Sequence, residues 1–311
     1  MEKKTRTYLV KILGLIILCS YLLDKMVFVF LNSISDQVYS GQNIGKLNQF
    51  LEIKDNLDFI VVGSSRANHH VDVEKFAMNS FNMGVDGTKI AYASTLIKTL
   101  LNKKQTVLMH IATERAFSKT YSGEDILSLK SKYHRNNTIK NEIDYLEKNN
   151  PLQHFYWSLG YTGSTLGIIK NWFSPNYDYT SYNGFDPLSI SDGQKKTLQK
   201  ILKSDNIETC QDELVLNPVY EYYLKNLQVF CKKNRKKLIL FTAPTYSDSC
   251  KNDNEKLAQI LNSLNYEYFD FTDFFNNNNS IDYWKDKTHL SDVGAQLLTN
   301  ELNSKLNLES E

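Results

Sequence analysis

The sequence predicts an α/β domain, a five-stranded parallel sheet in a three-layer α/β/α sandwich, carried behind one N-terminal membrane helix. Three observations lead there. Short apolar runs rich in β-formers recur between helix-patterned stretches, the signature of buried parallel strands joined by crossover helices. The first run ends in Gly63-Ser64-Ser65, a turn from strand to helix. A basic-flanked apolar segment precedes everything else. At 311 residues the chain holds one large domain, or a medium one with an insertion.

The N-terminal segment comes first. Lys3, Lys4, Arg6 and Lys11 lead into an uninterrupted apolar run over residues 12–23. Asp24 and Lys25 interrupt it, and Met26-Val27-Phe28-Val29-Phe30-Leu31 continues it. A spanning helix needs about 20 residues, reached by extending over Lys11, whose stem snorkels, or past the Asp24/Lys25 pair. A cleaved signal peptide is the rival, but no small-x-small cleavage site follows the apolar run. Leu18 before Cys19 also lacks the small residue expected of a lipoprotein site. The expectation is an uncleaved anchor over residues 1–33, N-terminus inside, with the body (34–311) outside the cytoplasm.

Residues 32–56 read as a polar connector with some helix, and residues 57–62 as the first strand. After Ser65 a helix or turn runs to about Phe76. Ser80-Phe81-Asn82-Met83-Gly84-Val85-Asp86-Gly87 is a second strand ending in a glycine-bearing loop. Residues 88–102 carry Ile90, Ala93, Leu96, Ile97, Leu100 and Leu101 at helical spacing, and residues 105–112 form a third strand. From about 117 to 212 the pattern dissolves into a polar, Tyr- and Asn-rich insertion. It is expected to cover the sheet edge and form part of a substrate groove. Tyr156, Trp157, Tyr161 and Trp172 either line that groove or pack within the insertion. Pattern returns with a helix at 217–234, a strand at 237–244, a helix at 254–264, a strand at 266–271 and a terminal helix at 293–306.

Composition excludes some functions. The 36 basic and 35 acidic side chains nearly cancel, which argues against nucleic-acid binding. No P-loop or ligand cluster appears, so neither a metal nor a cofactor is expected. Of the four cysteines, Cys210, Cys231 and Cys250 lie in the body, without C-x-x-C spacing. Outside the cytoplasm one pair of these can form a disulfide; the sequence leaves open which.

A serine at the carboxyl edge of a parallel strand sits where open α/β sheets place their ligands. Ser64 and Ser65 are therefore candidates for a nucleophile, against the plainer reading that they cap a helix. Near the C-terminus, Asp286-Lys287-Thr288-His289 places an aspartate three residues before a histidine, in a loop leading into the last helix. An aspartate there can orient the imidazole through one ring nitrogen and leave the other to take a proton. Ser65, His289 and Asp286 are the expected nucleophile, base and orienter.

That order and spacing resemble the SGNH (GDSL-type) hydrolase superfamily over residues 57–306, which implies a flavodoxin-like sheet. Gly63-Ser64-Ser65 is similar to its first block, with Ser64 in place of the usual Asp. Asn82-Met83-Gly84-Val85-Asp86-Gly87 is similar to the second, which implies oxyanion donors at the N–H groups of Ser65 and Gly87. Asp286 to Ser291 with Gly294-Ala295 matches the fifth. The third block departs: where the family places Gly-x-Asn-Asp, this chain has Ala112-Thr113-Glu114-Arg115. Ionised Glu114 cannot donate, so the two backbone N–H groups suffice, or Arg115 or another donor replaces the Asn. Arg66, Glu114 and Arg115 are candidate substrate-binding residues. An α/β-hydrolase fits worse, because Ala67 stands where its nucleophile motif needs glycine.

A Gly-Ser-Ser-Arg first block behind a membrane tether resembles members that handle acyl groups on cell-surface polymers, such as teichoic-acid D-alanyl-transfer proteins and alginate-type acetyltransferases. The resemblance implies an esterase or O-acyltransferase acting on acyl, chiefly acetyl, groups of a surface polysaccharide, with a membrane protein as acyl donor. The departure in the third block leaves a second reading, a non-catalytic module that binds glycan or an acyltransferase partner.

Overall fold

The computed structural model describes residues 3–203, 210 and 213–306. Helix α1 covers Lys3–Ser35 and α2 Lys46–Ile53, followed by strand β1 at Phe59–Gly63. Helix α3 (Ser65–His70) leads to β2 (Ser80–Gly84), and α4 (Ile90–Lys98) to β3 (Gln105–His110). Helix α5 (Thr113–Ala116) follows β3, and the region expected as an insertion carries α6 (Asn137–Tyr145), α7 (Pro151–Phe155), α8 (Thr165–Phe173) and α9 (Asp192–Lys203). Then come α10 (Pro218–Lys233), β4 (Lys236–Thr242), α11 (Lys251–Ser263), β5 (Glu267–Asp270) and α12 (Asp292–Leu306).

All five strands are parallel, in the order β2-β1-β3-β4-β5. Alternate strand residues enter two separate buried clusters, as a two-residue side-chain period requires. Ile60, Val62, Val107, Met109 and Leu240 join the cluster built with α2, α4, α10 and α11. Phe59, Val61, Leu108, Ile239 and Phe241 join the one built with α3, α12 and Trp284. Burial on both sides explains why the strands read as unbroken apolar runs.

Helix α1 has 33 residues, about 50 Å at the α-helical rise. It is long and apolar enough to cross a membrane, with a best-window mean hydropathy of 2.1. Its C-terminal part packs against the rest of the chain. Phe28, Leu31 and Ile34 are buried against Val38, Ile44, Tyr161 and Ile168. Asp24, only 6% exposed, accepts hydrogen bonds from the N–H groups of Trp157 and Ser158 and from Ser158 Oγ.

Two expectations for residues 117–212 need correcting. The region is helical, built from short helices of 5 to 12 residues among its described residues. Helices this short show less periodicity than their caps do. Asn136 caps α6, and Asn150 with Gln153 makes a capping box for α7. Second, the four aromatics do not line a substrate groove; they seat α1. Tyr156 Oη lies 2.9 Å from Ser20 Oγ, Trp157 packs its ring 5.4 Å from Phe28, and buried Tyr161 joins the same cluster. Trp172 donates to Gln37 just beyond α1. The region does cover a sheet edge. Asn82 N on β2 donates to Asn183 O at 2.8 Å, so a loop, with no added strand, closes that edge.

Cys210 pairs with Cys250, while Cys231 on α10 stays a buried free thiol.

Candidate active site

The sheet order reverses direction between β1 and β3: the chain leaves β1 toward β2 on one side, and β3 toward β4 on the other. Such a switch point opens a crevice beyond the carboxyl ends of the two strands. Here it holds a pocket of about 310 Å³ whose lining includes Ser65, Arg66, Gly87, Glu114, Arg115 and His289.

The two serines take different partners. β1 ends at Gly63 with φ +139, and a Cβ there would sit 2.8 Å from His110 Cβ, so the turn needs glycine. Ser64 then caps α3, its Oγ accepting from Arg66 N at 3.3 Å and meeting His110 Nδ1 at 3.1 Å. Both serines line the pocket, and Ser65 Oγ lies 2.8 Å from His289 Nε2. On the far side of that ring, His289 Nδ1 is 2.8 Å from Asp286 Oδ2. The three residues expected to act together from 224 positions apart are thus hydrogen-bonded in series.

Asp286 is held by more than the histidine. Its Oδ1 accepts from Thr288 N (2.8 Å), Thr288 Oγ1 (3.1 Å) and His289 N (2.9 Å). Burial pushes the carboxyl up, but the hydrogen bonds from His289 and Thr288 outweigh it and hold the group well below the usual carboxylate range. The loop itself is pinned by an antiparallel bridge between Trp284 and Leu290 and by His70, whose Nε2 accepts from Leu290 N at 3.0 Å. Full burial, reinforced by the neighbouring His289 and Arg66, pushes His70 well below 6.5. A neutral ring is what that acceptor role needs. Because α3 carries Ser65 at one end and His70 at the other, one helix ties Ser65 to the loop that bears His289.

Gly87, the expected second oxyanion donor, also faces the pocket. It has φ +77, open space where a Cβ would go, and no acceptor for its N–H among the described residues. Its loop is fixed to α3: Asp86 takes hydrogen bonds from Asn68 Nδ2 (3.0 Å) and His69 Nε2 (3.2 Å), and Thr88 Oγ1 donates to Gly63 O. The His69 and Asn68 contacts overcome burial and lower Asp86 to about 2. In the third block, Glu114 pairs with Arg66 at 3.0 Å, so it does not occupy a donor position. Arg115 lines the pocket.

Thr288, Tyr220, Lys89 and His110 are among the pocket residues that carry no site motif in the sequence. Thr288 was visible as the middle of the Asp–His spacing, and Tyr220 sat in a helical apolar stripe. Lys89, like Tyr220, lines the pocket without any motif to mark it. His110 ends β3, and only its place beside β1 brings it to Ser64. Its Nε2 is buried without a partner, and burial, then Arg66, push the ring well below 6.5. Among the described residues, no three His, Cys, Asp or Glu side chains group to hold a metal.

No protein-family model matches the chain, and no curated protein matches it.

Beneath the Gly87 loop, fully buried Lys46 donates at 2.6 Å to Asn68 Oδ1, Gly84 O and Gly184 O. Burial lowers it to about 7, against the opposing pull of Asp186 and Asp86. Between about pH 7 and 10.5 the unfolded chain holds a proton that folded Lys46 has lost, so stability rises with pH across that window. Below it the contribution is flat. Denaturation between pH 6 and 10 is expected to show a steeper rise in the wild type than in Lys46→Met, which keeps the contributions of Lys132 and Lys236, both lowered to about 8; parallel profiles would contradict it.

Proposed function

We propose that the chain is a membrane-anchored serine esterase or O-acyltransferase of SGNH type, acting on acyl groups of an exported or cell-surface polysaccharide. The observation that carries this reading is the series Ser65 Oγ–His289 Nε2–Asp286 Oδ2, 2.8 Å at each step, inside a pocket at the sheet's switch point. The two buried clusters either side of the sheet fit the three-layer sandwich of that superfamily, and the strand order fits its flavodoxin-like topology.

The chemistry follows from the geometry. Asp286 keeps the proton on Nδ1, leaving Nε2 to accept the Ser65 proton as Oγ attacks the ester carbonyl. The N–H groups of Ser65 and Gly87 receive the oxyanion. The tetrahedral intermediate collapses, the leaving alcohol takes the proton from His289, and the acyl group remains on Ser65 Oγ. Water (hydrolysis) or a sugar hydroxyl (transfer) then gives its proton to His289 and attacks the acyl carbon. Collapse expels Ser65 Oγ, which recovers the proton. Arg66, Glu114 and Arg115 at the pocket wall are placed to contact the carrier of the acyl group.

The setting is an extracytoplasmic body on a single-pass anchor with its N-terminus inside, and an acyl donor delivered by a membrane protein. The basic residues before the apolar helix support that orientation. So does the Cys210–Cys250 disulfide, since such bonds persist in oxidising compartments.

A fluorophosphonate probe tests the reading. Full-length protein is expected to label, and Ser65→Ala to remain unlabelled at the same melting temperature. A folded wild type that fails to label would instead favour a binding module without catalysis.

A further inference from the structure

We propose that α7 and the start of α8 sit in the outer leaflet of the bilayer beside α1, making the body a monotopic rider as well as a tethered domain. The proposal rests on the reading of α1 as a membrane anchor. Residue counts set the depth. A hydrocarbon core of about 30 Å takes about 20 helical residues, so a slab starting at Arg6 ends near Met26, and one starting at Lys11 ends near Leu31. Either way Ser20 and Tyr21 lie inside it.

Those are the residues α7 touches. Tyr156 Oη meets Ser20 Oγ at 2.9 Å, and the Phe155 ring lies 4.8 Å from Tyr21. Helix α7 is therefore at bilayer depth, and two of its exposed side chains suit lipid, Leu152 at 57% and Phe155, while the exposed His154 ring contacts Tyr133 Oη and Asn149 Nδ2. Helix α8 starts slightly higher, where Ile168 packs with Phe28 and Leu31. Leu166 beside it is 84% exposed. The outer face of α1 stays apolar to the same height, with Met26, Val29 and Phe30 all exposed.

The polar groups at this depth are already satisfied, as a lipid environment requires. Asp24 takes three donors from Trp157 and Ser158. Lys25 Nζ donates to Phe155 O and lies 4.2 Å from the Trp157 ring centroid. Asn150 and Gln153 close the exposed start of α7. A short apolar helix with capped ends beside a spanning helix is an interfacial element. Its effect is to fix how the body is seated over the membrane, and so where the Ser65 pocket meets a membrane-delivered donor.

Bromolipid quenching tests this in the purified full-length protein, reconstituted in phosphatidylcholine vesicles. A fluorophore is attached at Leu152→Cys in a Cys19→Ser background. Val229→Cys, on the exposed surface of α10, serves as the water-facing reference, and Leu13→Cys as the bilayer reference. The expected result is quenching at position 152 by lipids brominated near the headgroup, roughly half or more of that at position 13, with little at 229. If position 13 is quenched but 152 behaves like 229, the anchor reading stands and the lipid seat is wrong. That is also the result if a partner protein covers this face in the cell. If position 13 is not quenched, both fall.

Discussion

Asp286→Asn is expected to lower kcat about 10⁴-fold on an activated acetyl ester while the fold persists. An asparagine Oδ1 can still accept from Thr288 N, Thr288 Oγ1 and His289 N, so the loop keeps its hydrogen bonds. The other carboxylate oxygen is what changes. An amide nitrogen facing His289 Nδ1 donates where Oδ2 accepted, which favours the tautomer with the proton on Nε2. That nitrogen then cannot take the Ser65 proton, although it remains within reach of Oγ. His289→Ala removes the base outright and is expected to cost at least as much. Steady-state rates with circular dichroism as a fold control decide it, and a loss smaller than about tenfold would mean that the imidazole is not the base.

Gly84→Ala is expected to be a strongly damaging small substitution away from the chemistry. A Cβ there would sit 2.4 Å from Asn68 N, 2.8 Å from Asn68 Cα and 2.9 Å from Ala67 C, all of them backbone-side contacts that no rotamer change relieves. Either β2 or α3 must move, at a cost of about 3 kcal/mol, roughly 6–12 °C in melting temperature for a domain of this size. Gly84 O is also an acceptor for Lys46. Because α3 starts at Ser65, the shift carries to the nucleophile, and about an ångström of misplacement costs about a hundredfold in rate. Gly87→Ala is the informative comparison. Nothing lies within 4 Å of its Cβ, so only the positive φ of +77 opposes it, worth about 1–2 kcal/mol. Thermal melts and rates on both variants check the contrast. A Gly84→Ala protein with unchanged melting and turnover would show that the contact between β2 and α3 does not set the site.

What was legible in the sequence follows from the range of the interactions involved. The strands were readable because burial on both faces leaves no polar positions, so Phe59 to Val62 or Leu238 to Phe241 stand out as runs. Asp286 and His289 were readable because their partnership is local, closed within three residues by the turn that Thr288 completes. Ser65 was readable only as one of two serines. Which of them caps and which meets the base depends on His110 and His289, brought in by other strands and loops. The 117–212 region was opaque for a different reason. Its aromatics answer to α1, more than a hundred residues earlier, and its helices are too short to display a face. The disulfide was undetermined because three cysteines allow three pairings, and only the chain path places Cys210 beside Cys250.

The central claim is that His289 activates Ser65 Oγ as a nucleophile. Rapid acid quench of the full-length protein with an activated acetyl ester, followed by peptide mass mapping, tests it most directly. The expected result is a single acetyl group on Ser65 within the peptide spanning Gly63 to Arg66, absent in His289→Ala. An acetyl group on Ser64, or no acylation of folded wild-type protein, would contradict it.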